Sequence, residues 1–354
     1  MYNCATIGLG NASWKIDNDK LRKEIWTHAE AYTKHPNTKL VAVCDIDSDK
    51  QKEFSEKYPE IPTYSTVGDM FKANKIDIVS VCTPYTTHYD ILLDVVQYET
   101  KAVFCEKPFC GDVQKAAHII SLYEELNIPL AVNYMRRWDN LYLKVKEAII
   151  KGRFGKLKCI VGLTNTAFYT SSSHMVDMMT MLAGKLSLVY CSIDNHNKRI
   201  VNGIEEYGGN LLLESKSGVQ CFVYANNIPE NLLFEVKVIM ENGIIEIKQD
   251  GAVAYSYRFI PSNKRTNYRE PLQLDNFWYK PNERMLDAVT NIINRIEWGE
   301  QLKCSGEDAL GVLEILDSME VKDFPAIPDL NEAIDLLYDV INNLEEKMER
   351  ENEC

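Results

Sequence analysis

Cys4-Ala5-Thr6-Ile7-Gly8-Leu9-Gly10-Asn11-Ala12-Ser13 is a short apolar strand running straight into a glycine turn. Two glycines at this spacing let the backbone turn tightly and approach a pyrophosphate closely, the mark of a Rossmann dinucleotide site. Ser13 stands where the third glycine usually falls, and an ordinary strand-ending turn has the same look, so the hexapeptide alone leaves both readings open. Gly8, Gly10, Asn11, Ala12 and Ser13 are the candidate pyrophosphate residues. The next apolar run, Leu40-Val41-Ala42-Val43-Cys44, ends in Asp45-Ile46. A carboxylate there accepts hydrogen bonds from a ribose 2′-hydroxyl and repels a 2′-phosphate, which favours NAD over NADP. Asp45 follows Ser13 by 32 residues, against a usual spacing of about 20. Trp14 to Glu24 therefore reads as an insertion forming extra structure beside the cofactor.

Outward from this turn, strands and helices alternate. Strands are expected at Cys4–Ile7, Leu40–Cys44, Ile76–Val81, Ala102–Cys105 and Leu130–Val132. Helices are expected at Trp26–Lys34, Asp49–Tyr58, Thr66–Asn74, His88–Tyr98 and Val113–Leu126. Continuous apolar strands between amphipathic helices predict a parallel sheet covered on both faces. After about Asn133 the pattern changes. A helix at Leu141–Lys151 precedes alternating strands at Leu157–Leu163, Asn210–Glu214, Val219–Tyr224, Phe234–Met240, Gly243–Lys248 and Ala252–Phe259. Glu241-Asn242-Gly243 is a hairpin turn. Helices return at Glu283–Trp298 and Gly306–Met319, and a charged amphipathic helix is expected over 330–350, after a hinge at Pro325-Ala326-Ile327-Pro328. The fold class is thus α/β: a Rossmann domain over 1–133, an α+β domain with a large, mostly antiparallel open sheet over 134–322, and a helical tail over 323–354.

The 354 residues exceed the size at which one hydrophobic core keeps growing, which agrees with two domains. The net charge of -13 repels nucleic acid and anionic membrane as bulk partners. No apolar run reaches the roughly 18 residues that cross a bilayer. No basic leader precedes the first strand, and the ten cysteines include no Cys-x-x-Cys. Reduced thiols and a cytoplasmic location are expected, with no metal site.

The chemistry-bearing residues sit at strand ends. Cys82-Thr83-Pro84 closes the third strand at the edge where ligands bind in such sheets, and His88 follows as a helix-start residue with or without a role. Glu106-Lys107-Pro108 closes the fourth. A lysine here either reaches a substrate hydroxyl near the nicotinamide and favours its alkoxide-like transition state, or is a solvated surface lysine. Ser171-Ser172-Ser173 caps a helix that puts His174 and Asp177 on one face at i and i+3. That pairing suits a proton-transfer histidine oriented by a carboxylate, or simply a polar first turn. Arg136-Arg137-Trp138 either clamps an anionic substrate or pairs with surface acids. With Tyr169 and Thr170 these three make the candidate substrate-binding set.

Taken in order, the glycine turn, Val41–Asp45, Cys82-Thr83-Pro84 with His88, Glu106-Lys107-Pro108, Asn133 with Arg136, and His174 with Asp177 resemble the glucose–fructose oxidoreductase / inositol dehydrogenase family (Gfo/Idh/MocA). The resemblance spans roughly Cys4 to Met319, and Glu-Lys-Pro at that strand is its most specific part. It implies NAD(P)-dependent oxidation of a hydroxyl, or reduction of a ketone, on a sugar, cyclitol or sugar derivative, sugar nucleotides included. It also implies a homodimer or homotetramer through the second sheet. Lys107 maps onto the family's catalytic lysine, His174 onto its catalytic histidine, and Asp177 onto a carboxylate that helps hold substrate. Where typical polyol dehydrogenases of the family carry an aspartate four residues before the histidine, this chain has Thr170. A threonine holds no negative charge, so His174 is expected to bind its proton less tightly. Two other functions share these features: a non-catalytic NAD(P)-binding sensor or regulatory protein, and an NAD-assisted glycosidase.

Overall fold

The computed structural model describes residues 1–319, apart from 202, 203, 226, 227, 229, 230, 232 and 278. The expected hinge at 325–328 and helix at 330–350 lie outside the described residues. The chain's first six strands form one parallel sheet: β1 (Tyr2–Ile7), β2 (Thr38–Cys44), β3 (Thr63–Tyr64), β4 (Ile78–Val81), β5 (Ala102–Cys105) and β6 (Leu130–Val132). Their order is β3-β2-β1-β4-β5-β6. Helices α1 (His28–Lys34), α2 (Ser48–Lys57), α3 (Val67–Ala73), α4 (His88–Val95) and α5 (Val113–Glu125) connect them. The chain moves outward from β1 to β3 and then returns to β4, so the strand order reverses between β1 and β4. Ligands of such sheets bind in the crevice beyond the carboxyl ends at that reversal. The turn after β1 and the loop after β4 both lie there.

β3 was not expected, because two residues carry too little pattern to read. α1 starts at His28, two residues later than expected, because Thr27 is its N-cap and accepts from the Glu30 amide. Asp17, inside the insertion, accepts hydrogen bonds from the Trp26 and Thr27 amides at 3.0 Å and from Thr27 Oγ1 at 2.6 Å. Two short helical turns, Asn11–Lys15 and Ile16–Asn18, build the rest of it. Trp14 anchors this segment. Its ring is buried edge-on to Phe54 at 5.6 Å, and its Nε1 donates to the Leu9 carbonyl at 3.2 Å.

The second sheet holds β7 (Leu157–Thr164), β8 (Leu186–Val201), β9 (Ile204–Ser215), β10 (Gln220–Ala225), β11 (Phe234–Met240), β12 (Gly243–Lys248), β13 (Val253–Pro261) and β14 (Arg269–Asn276). Their order is β14-β13-β12-β11-β7-β10-β9-β8. Every neighbouring pair is antiparallel except β7 with β10. Helices α6 (Asn140–Ile150), α7 (Ser173–Ala183), α8 (Arg284–Trp298) and α9 (Gly306–Asp317) complete the described residues. Two edge strands escaped the sequence reading. β8 has register breaks between Leu188 and Tyr190 and between Asp194 and Lys198, which interrupt its alternation. β14 carries Pro271, which is tolerated at an edge but reads as a breaker.

α7 lies close on the sheet because Gly162 of β7 has no side chain there. A Cβ at Gly162 would come within 2.4 Å of Met175 Sδ and 2.8 Å of Met179 Cε. Met175, Met178 and Met179 are fully buried against the sheet, and truncating one such side chain costs about 2–5 kcal/mol. This packing fixes the end of α7 that carries His174. Among the described residues, no helix is long and apolar enough to cross a membrane, and no cluster of His, Cys, Asp and Glu has the geometry of a metal site.

Candidate active site

The turn after β1 is shaped by its neighbour β4. Gly8 has φ +91°, and a Cβ on it would sit 2.8 Å from the Cys82 carbonyl carbon and the Thr83 nitrogen. Only glycine lets the two strand ends approach this closely. A Cβ on Gly10 would meet nothing nearer than the Cys82 oxygen at 4.0 Å, so the backbone there is open to a ligand. Asn11, Ala12 and Ser13 follow in the first helical turn, where leading amides lack partners within the helix. Ser13, expected to hold the pyrophosphate, is fully buried, and its hydroxyl donates to Thr6 Oγ1 at 3.3 Å, so it is turned into the core and not toward the crevice. Asp45 closes onto this turn. Its Oδ2 accepts from the Leu9 amide at 2.7 Å and its Oδ1 from the Asp47 amide at 2.9 Å. Lys50 Nζ stands 3.9 Å from Oδ2. Ile46 beside it is 92% exposed, an apolar surface at the adenosine end. The glycine cradle and the carboxylate at the end of β2 fit a nicotinamide dinucleotide.

At the far side of the crevice, Thr83 and Pro84 lead into the turn Tyr85–Thr87. His88 is not available to a ligand, contrary to the sequence expectation. It is fully buried, with Nε2 2.9 Å from the Thr83 carbonyl, Nδ1 3.2 Å from the Phe109 carbonyl and the Cys105 thiol 3.4 Å from Nδ1. It ties the loop after β4 to the loop after β5. Burial holds its proton affinity below the ordinary imidazole value.

Glu106 and Lys107 end β5 at the mouth of the crevice. Glu106 Oε1 is 2.9 Å from His28 Nε2 and accepts from Asn133 Nδ2 at 2.6 Å. His28 Nδ1 in turn lies 2.8 Å from Ser80 Oγ, which is 2.6 Å from the Tyr32 hydroxyl. A carboxylate only accepts, so His28 Nε2 carries the hydrogen toward it. Burial alone would raise the Glu106 carboxyl, but these hydrogen bonds and the neighbouring His28 and Lys107 hold it below the ordinary carboxylate value. His28 was not found from the sequence, because the insertion moves it away from the glycine turn. Its signal is a histidine just past the first helix cap.

Lys107 Nζ reaches across to the second half of the chain and donates to the Thr170 carbonyl at 3.1 Å. Burial lowers the proton affinity of the ammonium, while Glu106 and Glu206 oppose that shift. Tyr169, next to Thr170, lies parallel to Tyr85 with ring centres 6.2 Å apart. One turn further on, His174 is half-buried. Its ring stands edge-on to Tyr134 at 5.4 Å, and its buried Nδ1 has no hydrogen-bond partner among the described residues. Burial, and then the positive charges of Lys107, Arg136 and Arg284, push its proton affinity well below the ordinary imidazole value. The ring is therefore a neutral base at physiological pH. Glu206 was also missed by the sequence reading, and it lies 3.1 Å from Thr170 Oγ1.

Three further site expectations, Asp177, Arg137 and Trp138, are corrected. Asp177 shares a helix with His174 but is fully buried, and both its oxygens accept from Arg137 Nε at 2.8 and 3.1 Å. Arg137 also binds Asp308 at 2.9 Å and the Lys303 carbonyl at 3.1 Å. Trp138 is buried and donates to Asn291 Oδ1 at 3.2 Å. A carboxylate and a guanidinium that satisfy each other in the interior do not face a substrate. Arg136 keeps its place beside the site, pairing with Asp250 and covering the Phe234 ring at 3.5 Å, with its Nε buried and unpartnered.

A dinucleotide crevice at a topological reversal, with a lysine at its mouth and a neutral histidine beside it, defines an NAD-dependent oxidoreductase. Residues 3–134 match the Gfo/Idh/MocA family model, described as "Oxidoreductase family, NAD-binding Rossmann fold". An inositol 2-dehydrogenase of Rhizobium meliloti (strain 1021) is 24% identical over 308 residues, covering 82% of this chain and 91% of the relative. Two solved structures share the fold. An oxidoreductase from Agrobacterium radiobacter in complex with NAD+, L-tartaric acid and magnesium superposes with a TM-score of 0.70 at 16% identity, covering 89% of this chain and 94% of its own. The WlbA dehydrogenase from Bordetella pertussis in complex with NADH and UDP-GlcNAcA gives 0.68 at 20% identity, covering 89% and 94%. Residues 3–134 thus carry the NAD-binding Rossmann fold of the Gfo/Idh/MocA oxidoreductases, and the chain is similar along most of its length to an inositol 2-dehydrogenase.

Proposed function

We propose that this protein interconverts a secondary hydroxyl and a ketone on a sugar, cyclitol or sugar derivative, with NAD as the cofactor. The observation that carries this reading is the meeting of Lys107 with the entry to α7, one turn from a neutral, unpartnered His174, at the mouth of the dinucleotide crevice. The inositol dehydrogenase among the relatives supports the substrate class. Gly10, the turn after it and Asp45 would hold the dinucleotide, which supplies the acceptor for the hydride leaving the carbinol carbon. In that direction His174 takes the hydroxyl proton, and the Lys107 ammonium donates a hydrogen bond to the same oxygen as negative charge builds on it. Arg136, Tyr85, Tyr169 and Thr170 surround the space where the rest of the substrate would lie.

A panel of cyclitols, sugars and sugar nucleotides, assayed with NAD for NADH formation, tests this. Turnover on a member of the panel is expected. Lys107→Met should reduce it by about 10²–10⁴-fold, the range for losing an acid–base or electrostatic group, while NADH binding persists. Tight NADH binding with no turnover on any compound would instead mark a sensor. The nine described cysteines are all free, which supports a reducing, cytoplasmic setting. For assembly, Phe222, Tyr224 and Tyr190 are exposed on the open face of the second sheet. They support a homodimer or homotetramer through that face, and light scattering would read it as a mass above the monomer.

A further inference from the structure

Glu206 is a buried carboxylate that the reaction above does not use. It is only 3% exposed, on β9, directly opposite Arg199 of β8. Its Oε2 accepts from Thr170 Oγ1 at 3.1 Å, and the carbonyl of the same threonine accepts from Lys107 Nζ at 3.1 Å. One residue thus joins the carboxylate to the ammonium. Glu106, the nearer acid in sequence, is already engaged. Its Oε1 is taken by His28 and Asn133, and its Oε2 by the Lys107 backbone amide at 3.2 Å. Thr170 brings no charge of its own. Lys107, part-buried beside the positive Arg136, therefore depends on Glu206 for the rest of its compensation.

We propose that Glu206 is the positioning carboxylate of this site: acting through Thr170, it aims the Lys107 ammonium at the reacting oxygen and balances its charge. This rests on the assignment of Lys107 to that oxygen. The groups facing Lys107 are Glu106 from β5, Arg136 from the segment after β6, Thr170 and His174 from the start of α7, and Glu206 from β9. Those facing Glu206 are Lys107, Thr170 and Arg199, with the Tyr85 and Tyr169 rings beside it. Arg199 and Lys107 share one carboxylate, so removing its charge leaves two cations with less compensation.

The test reads Lys107 directly. The full chain is labelled with trace acetic anhydride across a pH series, and acetylation of the Lys107 peptide is followed by mass spectrometry, with surface lysines as internal controls. Glu206→Gln should move the Lys107 midpoint to lower pH by about half a unit or more, since the ammonium loses a negative neighbour. Glu206→Asp, which keeps the charge one methylene further away, should move it less. Thr170→Val removes the linking hydroxyl and should act in the same direction, so the proposal stays testable if Glu206→Gln does not fold. A Lys107 midpoint unchanged in folded, NADH-binding variants overturns the proposal. The readout needs no turnover. An inactive panel with a shifted midpoint rejects the reaction assigned above but not the Glu206–Lys107 link.

Discussion

His174 carries its consequence in its charge. The imidazole is half-buried and flanked by Lys107 and Arg136, so both causes disfavour the imidazolium and neither opposes the other. A base whose proton affinity is lowered stays competent at lower pH. In the oxidation direction the acidic limb of kcat/KM should therefore lie below the ordinary imidazole value of about 6.5. A pH–rate profile measured with NAD saturating checks this, and a limb at or above that value would show that His174 is not the titrating base. At this scale the sequence was legible where a residue ends an apolar strand: Asp45, Lys107 and Thr83 need no tertiary knowledge to be placed. Glu206 was not. Leu211 and Leu213 face inward on β9, and simple alternation from them would turn Glu206 outward. Gly209, at φ +141°, reverses the alternation, and a Cβ there would strike the Ser192 oxygen at 2.0 Å. The paired glycines Gly208-Gly209 were the available signal, since glycine inside a strand marks such a break.

Among the elements, the insertion between β1 and α1 has the clearest structural task. Asp17 satisfies two backbone amides and one hydroxyl at the start of α1, and the next residue, His28, holds Glu106. The insertion is thus connected to the mouth of the site through the helix it caps. Asp17→Ala removes all three bonds at once. It should cost about 1–3 kcal/mol in urea denaturation, the range for a lost cap with charge-assisted bonds. NADH affinity should fall with it, because Trp14 and the glycine turn share the same segment. Unchanged affinity and stability would mean that the segment merely covers the surface. The sequence showed this insertion as a spacing anomaly and predicted extra structure there, without singling out the residue that anchors it. Asp17 is one of several acids in it, and only the folded chain singles out the one that meets Thr27. The parallel sheet was readable except for its short edge strand β3, because both of its faces are covered and its other strands are continuously apolar. The second sheet was read less completely, since its edge strands carry prolines, charges and register breaks.

For the whole molecule, the decisive contact is Arg137 with its three partners. It follows β6 of the first sheet, yet it binds Asp177 on α7, Asp308 on α9 and the Lys303 carbonyl before α9. It therefore joins the parallel-sheet part to the helices that lie against the second sheet. Two charges buried together cost much of what their attraction returns, so the pair's net worth is small, but an orphaned partner is expensive. Arg137→Met alone should destabilise the protein by about 3–5 kcal/mol, because Asp177, which burial pushes up to about 7 even with Arg137 beside it, must then take up a proton and stay in the interior without its partner. Arg137→Met combined with Asp177→Leu should recover most of that loss, because no buried carboxyl then lacks its counterpart. Urea denaturation of the two variants measures the difference. The double variant also separates the two roles considered for Asp177. A carboxylate that binds substrate would raise KM in the folded double variant however stable it became. A carboxylate that only holds Arg137 leaves KM where it was, which is the outcome expected from its complete burial and from Arg137 Nε occupying both its oxygens.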